Sequence, residues 1–238
     1  MNYGYAPLDG QTGVVCLDES DADSRYCIQL YHHVACAVGL KNMNVLEVGS
    51  GRGGGADYIN RYLKPEKMVG VDFSEDAVKF SNRNHADSGL SFEVGNAESL
   101  PFEDNSFDVI VNVESSHCYG SMDAFLGQVE RVLREGGYFL FADFRSKEKI
   151  DVLREALDKS GLTLIKETDI TLNILHALEL DNERRTTLIK KTVHKPLVQP
   201  FLEFAGAKGS KSYKKFRTGE TVYLSFVLQK DERISSLD

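Results

Sequence analysis

The stretch VLEVGSGRGGG, residues 45–55, decides the fold of this chain. A short segment typical of a buried strand runs directly into a turn that holds five glycines. Glycine lets the backbone turn sharply and lets a ligand approach without meeting a Cβ atom. A helix that starts here would offer free N–H groups, so we expect an anionic or carbonyl-rich group to bind at this corner. Asp72 follows Gly51 by 21 residues, the spacing at which a carboxylate accepts hydrogen bonds from both hydroxyls of a ribose.

Short β-branched segments alternate with longer segments of helical apolar spacing along the rest of the chain. This alternation predicts an α/β fold, a doubly wound Rossmann-like sheet of about seven strands connected by right-handed crossovers. Gly136 is expected to cap the helix that precedes the fifth strand. The predicted strands are 44–48, 68–71, 90–94, 107–113, 137–141, 162–165 and 221–229, and the predicted helices between them are 54–63, 75–85, 122–134 and 147–159.

The chain divides by pattern into four parts. Residues 1–40 are expected to form a polar, irregular arm and a lid helix, with Ser24 as its N-cap and Gly39 as its stop. Residues 41–170 form the ligand-binding core. Residues 171–218 form a helical cap inserted before the last strand, and residues 219–238 form that strand and a tail.

Charge is distributed unevenly along the chain. The formal net charge of −8 argues against a general nucleic-acid binder, because such proteins neutralise phosphates with Lys and Arg. Residues 184–217, however, hold ten basic residues and one acid, which leaves −17 on the remainder. One interpretation is a solvated cap whose aromatic residues pack inward. The other is a mouth that attracts an anionic or amphiphilic substrate, or an acidic carrier domain. The aromatic residues concerned are Phe201, Phe204, Tyr213 and Phe216.

The chain shows no sign of a membrane span or of export. No apolar run approaches the roughly 18 to 20 residues that cross a bilayer, and the start MNYGYAPLDG lacks the features of a signal peptide. The four cysteines show no C-x-x-C spacing, so we expect reduced thiols in a cytoplasmic protein. No metal site is predicted.

Several segments carry a resemblance to a known family. Residues 45–53, 69–74 (VGVDFS), 95–102 (GNAESLPF) and 107–110 (FDVI) resemble the successive motifs of class I S-adenosylmethionine (SAM) methyltransferases. The acid Glu47 before the glycines is usual in that family and not in dinucleotide-binding proteins. Within the family, residues 30–34 (LYHHV), 112–119 (NVESSHCY) and 142–145 (ADFR) resemble the bacterial phthiotriol and phenolphthiotriol dimycocerosate O-methyltransferases. The resemblance covers about residues 28 to 145.

The resemblance implies a site for SAM, with S-adenosyl-L-homocysteine as the product. It implies that the glycine loop lines the methionine moiety, that Asp72 holds the ribose and that Phe73 flanks the adenine. Asn96 stands where many relatives carry Asp, and an amide can still recognise adenine by donating and accepting. Glu114 is expected to face the methionine or the substrate. The implied cofactor-binding residues are Glu47, Gly49, Ser50, Gly51, Asp72, Phe73, Asn96, Ala97 and Glu114.

Three residues are candidates for the chemistry. His117 follows the fourth strand, at the sheet edge where open α/β folds bind ligands, and imidazole suits a general base; the alternative is that it only orders its loop. The lid helix carries His32 and His33 beside Tyr31, and these neighbours cannot all face inward. One of the two histidines is a candidate to reach the substrate, with His32 taken as the catalytic candidate; the alternative is a solvated or core-packed side chain. Asp143, expected at the end of strand five, is either an acid–base partner or a helix cap or loop anchor.

The sequence therefore predicts SAM-dependent methyl transfer to a hydroxyl of a small-molecule or lipid-like secondary metabolite. Three alternatives stay open. The first is N- or C-methylation of an amine, quinone or sterol. The second is a SAM-binding protein that acts only through a partner chain. The third is a nicotinamide-dependent oxidoreductase, favoured by the G-x-G-x-x-G of residues 49–54 but not followed by a Tyr-x-x-x-Lys pattern. A homodimer is considered, and a nucleic-acid partner is not expected.

Overall fold

A single mixed sheet forms the centre of the molecule. The computed structural model describes residues 2–9, 15–85 and 87–232. Its seven strands are arranged in the order β3-β2-β1-β4-β5-β7-β6. The first five are parallel, and the seventh pairs antiparallel with both of its neighbours. The predicted doubly wound, Rossmann-like fold is confirmed. The strands are β1 (Asn44–Val48), β2 (Lys67–Asp72), β3 (Leu90–Val94), β4 (Phe107–Val113), β5 (Leu133–Ser146), β6 (Leu162–Asp169) and β7 (Thr221–Lys230).

Helices cover both faces of this sheet. Four of them lie between β6 and β7, which confirms that a helical cap precedes the last strand. No helix in the described ranges has the length and apolar character that crossing a membrane requires. The helices are α1 (Arg25–Ala35), α2 (Gly54–Tyr58), α3 (Glu75–Asn84), α4 (Met122–Val132), α5 (Ile150–Asp158), α6 (Thr171–Leu180), α7 (Asn182–Thr192), α8 (Val198–Phe204) and α9 (Lys211–Thr218).

Two apolar layers hold the sheet between the helices. Successive side chains of a strand point to opposite faces, so neighbours in β1 and β4 enter different layers. Val45 and Val109 pack in the layer that contains residues of α1, α2 and α9. Leu46 and Ile110 pack in the layer that contains residues of α4 and α5. The side chains of both layers are buried at the central strands. The packed sheet therefore fixes the position of the loops at its carboxyl edge.

The largest departure from the sequence prediction lies at the start of β5. The helix predicted to run to residue 134 ends at Val132, because Leu133 is extended and pairs with Phe107. Gly136, predicted as the helix cap, adopts φ +73° within the strand. Pairing with β7 continues to Ser146, so Asp143 lies inside a strand and not at its end.

Smaller differences concern element ends. The helix predicted for residues 54–63 is α-helical only to Tyr58 and continues as a π-helix from Ile59 to Leu63. Strand β6 reaches Asp169, because it pairs with β7 over most of its length. The lid helix α1 ends at Ala35, and Ser24 makes no side-chain capping bond within the described part of the chain.

The predicted division into arm, core, cap and tail stays a prediction. Three of its parts contain residues outside the described ranges: residues 1 and 10–14 of the arm, with its glycines Gly10 and Gly13, residue 86 of the core, and residues 233–238 of the tail. Arm residues 2–9 run along α1 and the cap through backbone hydrogen bonds from Tyr5 to Tyr26 and from Ala6 to Asn173.

Candidate active site

The glycine corner between β1 and α2 has the sharp geometry that the sequence predicts. Gly49 and Gly51 adopt φ of +76° and +54°, a left-handed conformation that side chains disfavour. A Cβ at Gly49 would also lie 2.6 Å from Ser115 Cβ and 2.9 Å from Tyr119 Oη. A Cβ at Gly51 would meet no atom within 4 Å in the described residues, so this glycine faces open space. The first glycine is therefore required for packing, and the second leaves room at the surface of the loop.

The N–H groups of this loop are already paired within the protein. Gly49 N and Ser50 N donate to the carbonyl oxygen of Val71, at 2.8 and 3.0 Å. Gly51 N donates to Asp72 Oδ2 at 2.7 Å. The end of β2 uses these three N–H groups to hold the corner, so they are not free for a ligand. The prediction of free N–H groups concerned the start of the following helix and stays a prediction.

Asp72 stands at the centre of the corner, as its spacing predicts. Its Oδ2 accepts from Gly51 N, and its Oδ1 accepts from Ser74 N at 2.9 Å. Each carboxylate oxygen has a second lone pair, so the side chain can still accept bonds from two ligand hydroxyls. The carboxylate is fixed in place before any ligand arrives.

Three polar side chains, those of Asn112, Ser115 and Tyr119, form a cluster that packs against the glycine corner. Asn112 Nδ2 donates to Val48 O at 2.9 Å and lies within hydrogen-bond distance of Ser115 Oγ and Tyr119 Oη. Ser115 Oγ and Tyr119 Oη are also bonded to each other, at 2.9 Å. These groups lie where a side chain on Gly49 would be. The carboxyl end of β4 and the loop that follows it therefore fix the position of the glycine loop.

A cavity of about 1000 Å³ opens at this edge of the sheet. This is the upper end of the usual range for ligand sites, about 300 to 1,000 Å³, and leaves space for a second molecule beside a nucleoside. The carboxyl ends of β1 to β4 line one part of it, and residues of the arm, α1, α2, α3 and α7 also contribute to its lining. Eight of the nine residues implied as cofactor-binding line this cavity: Gly49, Ser50, Gly51, Asp72, Phe73, Asn96, Ala97 and Glu114.

The ninth, Glu47, lies behind the loop and is fully buried. Its Oε1 accepts a hydrogen bond of 2.5 Å from the hydroxyl of Tyr31. Burial raises the pKa of Glu47 to about 8, so the side chain is protonated at neutral pH. The ring of Tyr31 lies so close to Gly55 that any Cβ there would overlap it. Glu47 therefore anchors the lid helix to the glycine loop.

Glu114 and the N-terminal arm close the cavity from the other side. Glu114 Oε1 accepts from Tyr3 N at 2.8 Å, and its backbone is held at φ +48°. Burial raises the pKa of Glu114 to about 7. Arg185, itself buried, donates to the carbonyl oxygens of Tyr3 and Ala205, at 3.2 and 2.9 Å. Hydrogen bonds therefore hold the arm to Glu114 after β4, to α1 and to the cap.

His117 and Asp143 form a hydrogen-bonded pair just outside the lining of the cavity. His117 Nδ1 lies 2.8 Å from Asp143 Oδ1, and its ring packs against Phe144 with centroids 4.4 Å apart. Burial opposes ionisation of Asp143, but bonds from His117 and Ser116 and the charge of Arg145 keep its pKa below the usual value. An ionised Asp143 places the proton on Nδ1 and leaves Nε2 as an acceptor. Asp143 therefore orients His117 and also anchors the loop.

The structure does not bring His32 to this cavity. Its Nδ1 lies 2.6 Å from the hydroxyl of Tyr58 and 3.2 Å from Cys36 Sγ. It lines a separate, smaller cavity, together with His33, whose pKa burial lowers to about 4. Of the neighbours Tyr31, His32 and His33, it is Tyr31 that lines the cavity, because one step along the helix rotates a side chain by about 100°.

The sequence reasoning missed residues that come from outside the core motifs. Asn2, Arg184 and Arg185 line the cavity, and Tyr3 holds Glu114. The arm gave no periodic signal, since it is irregular backbone. The two arginines were counted only as part of the basic segment, although Asp181, three and four residues earlier, pairs with both. That i, i+3 and i, i+4 spacing was the available signal.

This fold and this site together define a class I, Rossmann-like methyltransferase. A family model described as a methyltransferase domain matches residues 40–206. The fatty-acid O-methyltransferase of Mycolicibacterium smegmatis is 36% identical over 230 residues, covering 97% of this chain and 82% of that protein. The phthiotriol/phenolphthiotriol dimycocerosates methyltransferase of Mycobacterium tuberculosis is 37% identical over 236 residues, covering 97% and 85%. The chain belongs to this methyltransferase family.

A solved structure agrees with the fold. Geranyl diphosphate C-methyltransferase from Streptomyces coelicolor, crystallised with Mg²⁺, geranyl diphosphate and S-adenosyl-L-homocysteine, superposes with a TM-score of 0.69. The alignment covers 97% of this chain and 91% of that one at 16% identity. At this identity the likeness concerns the fold alone.

Proposed function

We propose that this protein transfers a methyl group from SAM to an oxygen of a lipid-like acceptor. The observation that carries the proposal is one cavity that joins the glycine corner and Asp72 to Glu114, the arm and the cap. By their names, the two relatives above are an O-methyltransferase of fatty acids and a methyltransferase of phthiotriol/phenolphthiotriol dimycocerosates. A cavity of this size accommodates a nucleoside together with the reactive end of a long acceptor.

The residues of the corner fit SAM. Gly51 leaves space for a ligand, and Asp72 keeps lone pairs for two ribose hydroxyls. Phe73 is 79% exposed at the rim of the cavity and offers a ring face to a base. Asn96 and Ala97 line the same part of the cavity. Glu114 offers a carboxylate to a cationic group of the ligand. When bound, SAM supplies an activated methyl group.

The protein's own part in the reaction is to position the acceptor and to manage its proton. Holding an acceptor in line with the methyl carbon, with water excluded, supplies much of the rate of such a displacement. A hydroxyl acceptor must also lose a proton, and we assign His117 Nε2 as the group that accepts it. Asp143 holds the ring in the required tautomer. A carboxylic acid acceptor is already ionised at neutral pH and would not need His117.

Acceptor type therefore determines which residues matter, and one experiment separates the two cases. The purified protein is incubated with radiolabelled SAM and either a long-chain fatty acid or a long-chain alcohol, and lipid extracts are counted before and after mild alkali. A methyl ester loses its label in alkali, and a methyl ether keeps it. Alkali-stable label would support a hydroxyl acceptor. Turnover only with an amine or carbon acceptor would refute O-methylation, and no turnover with any acceptor would favour a SAM-binding protein that acts through a partner.

The proposal extends to the setting of the reaction. We propose that the enzyme works in the cytoplasm, supported by its four free cysteines, and that it binds no nucleic acid, supported by its negative net charge. We also propose the four-part division of the chain given above. Light scattering would test the homodimer considered from the sequence.

A further inference from the structure

The cap exposes an apolar face that is unusual for a protein surface. Leu197, Phe201 and Phe204 are spaced by four and three residues, so they share one side of α8 and of the 3₁₀ turn (Lys195–Leu197) that precedes it. Their exposed fractions are 51%, 47% and 72%. The inward packing expected from the sequence is found for Tyr213 and Phe216, which are buried, but not for these two phenylalanines. This apolar face of α8 has no cover in the described part of the chain.

Positive charge surrounds the same helix. Lys195 precedes α8, Lys208 follows it, and Lys211 begins α9, and all three are exposed. The backbone N of Lys211 donates to Glu203 Oε2, which brings the start of α9 against α8. Glu203 is the only acid among residues 184–217, and it is engaged in capping this neighbour. The other exposed basic residues of this segment are Lys190, Lys191, Lys214, Lys215 and Arg217.

This surface belongs to the same helical layer as the wall of the cavity. Leu188 and Ile189 of α7 line the cavity, and α7 packs against α8. A lipid that enters the cavity beside α7 would therefore come from a lipid surface that α8 can contact. An apolar helix face flanked by lysines is the pattern by which peripheral helices lie in the headgroup region of a bilayer.

We propose that the apolar face of α8, with Lys195, Lys208 and Lys211, docks the enzyme on the surface of an anionic lipid bilayer. This inference rests on the proposed lipid-like acceptor and names the place from which that acceptor is taken. Charge complementarity supports an anionic partner, since residues 184–217, which include α8 and its neighbouring lysines, carry ten basic residues and one acid. The exposed phenylalanines favour a bilayer over an acidic carrier domain. A bilayer buries their rings, whereas a carrier domain that offers only acidic groups does not.

Vesicle sedimentation tests the proposal. The full chain is mixed with vesicles of phosphatidylcholine alone or of equal parts phosphatidylcholine and phosphatidylglycerol. We expect binding only to the anionic vesicles, weakening as salt is raised. Replacing Lys195, Lys208 and Lys211 by Gln should lower the partition coefficient by about a hundredfold, roughly fivefold for each lysine. The double variant Phe201→Ser, Phe204→Ser should lower it by about tenfold or more.

Control variants come from two helices outside the cap, α5 and α3. Val152→Ser on α5 changes another exposed apolar residue, and Lys79→Gln on α3 removes another exposed charge. Both variants should bind vesicles as the wild type does. All variants should methylate a short, water-soluble acceptor at the wild-type rate, because none of these residues lines the cavity.

The outcomes separate this inference from the proposed function. Normal turnover without binding to anionic vesicles would overturn the docking surface and leave the methyl transfer intact. Absence of turnover with every acceptor would instead overturn the proposed function. Binding of an acidic carrier protein without vesicle binding, or a dimer that the Phe201→Ser, Phe204→Ser variant converts to monomers without vesicle binding, would also contradict the docking proposal.

Discussion

Replacing Gly49 or Gly51 by Ala tests how the corner is built, because the two positions share a left-handed backbone but differ in how closely they are packed. Both glycines have positive φ, so a side chain at either costs about 1 to 2 kcal/mol. Only at Gly49 does the new Cβ meet Ser115 and Tyr119. Forcing a methyl group into such a packed place costs about 1 to 3 kcal/mol more. We expect Gly49→Ala to lose roughly 2 to 5 kcal/mol of unfolding free energy and Gly51→Ala roughly 1 to 2.

Urea unfolding followed by circular dichroism measures this difference, since the chain has no tryptophan for a fluorescence signal. With a slope of about 2 to 3 kcal/mol per molar urea, the midpoint for Gly49→Ala should fall by roughly 1 to 2 M. Gly51→Ala should stay within about 1 M of the wild type but bind S-adenosylhomocysteine at least tenfold more weakly by calorimetry, because its methyl group points into the cavity. Equal midpoints for the two variants, or unchanged affinity in Gly51→Ala, would refute this account of the corner.

Three further predictions concern the carboxylates and His117. With a hydroxyl acceptor, His117→Ala and Asp143→Asn should each lower kcat by about a hundredfold or more while the affinity for S-adenosylhomocysteine is kept; a wild-type rate in either variant removes that residue from the mechanism. Glu114 has a pKa of about 7 and must ionise to face a cation, so the affinity for SAM should fall as pH drops through 7, and calorimetry on Glu114→Gln should show a flat profile; a wild-type pH dependence in that variant would exclude Glu114. Glu47 binds a proton in the folded state up to about pH 8 and in the unfolded state only to about 4.5, so folding stability should decline as pH rises between these values. The free energy of unfolding of Glu47→Gln, measured by urea titration, should fall less than that of the wild type over this pH range, by up to about a few kcal/mol. Parallel pH curves for variant and wild type would contradict the buried, protonated carboxyl.

The core of the fold was predictable because its signals are local. The strand, glycine turn and aspartate of residues 45–72 are set by backbone conformation and by a fixed spacing, and both are visible in one sequence. The end of α4 was not predictable, because Leu133 is drawn into the sheet by pairing with Phe107, a contact between distant segments. Long-range pairing overrides helical periodicity in such cases.

The candidate site also contains some residues that the sequence predicts and others that it does not. The residues predicted to bind the cofactor follow parallel strands, so their meeting at one sheet edge follows from topology. The bonds of Tyr3 to Glu114 and of Arg185 to Tyr3 join segments 111 and 182 residues apart, and no local pattern predicts them. The choice of Tyr31 over His32 depended on the rotation of α1 about its axis, which the sequence leaves open until the helix is packed.

We propose that the corner formed by residues 49–51 and Asp72 holds the nucleoside of SAM, and a crystal structure with S-adenosylhomocysteine would show whether it does. We expect electron density along the glycine loop, with both ribose hydroxyls within hydrogen-bond distance of the Asp72 carboxylate and the base against Phe73. A ligand bound elsewhere, or a corner without density in crystals grown at saturating ligand, would contradict it.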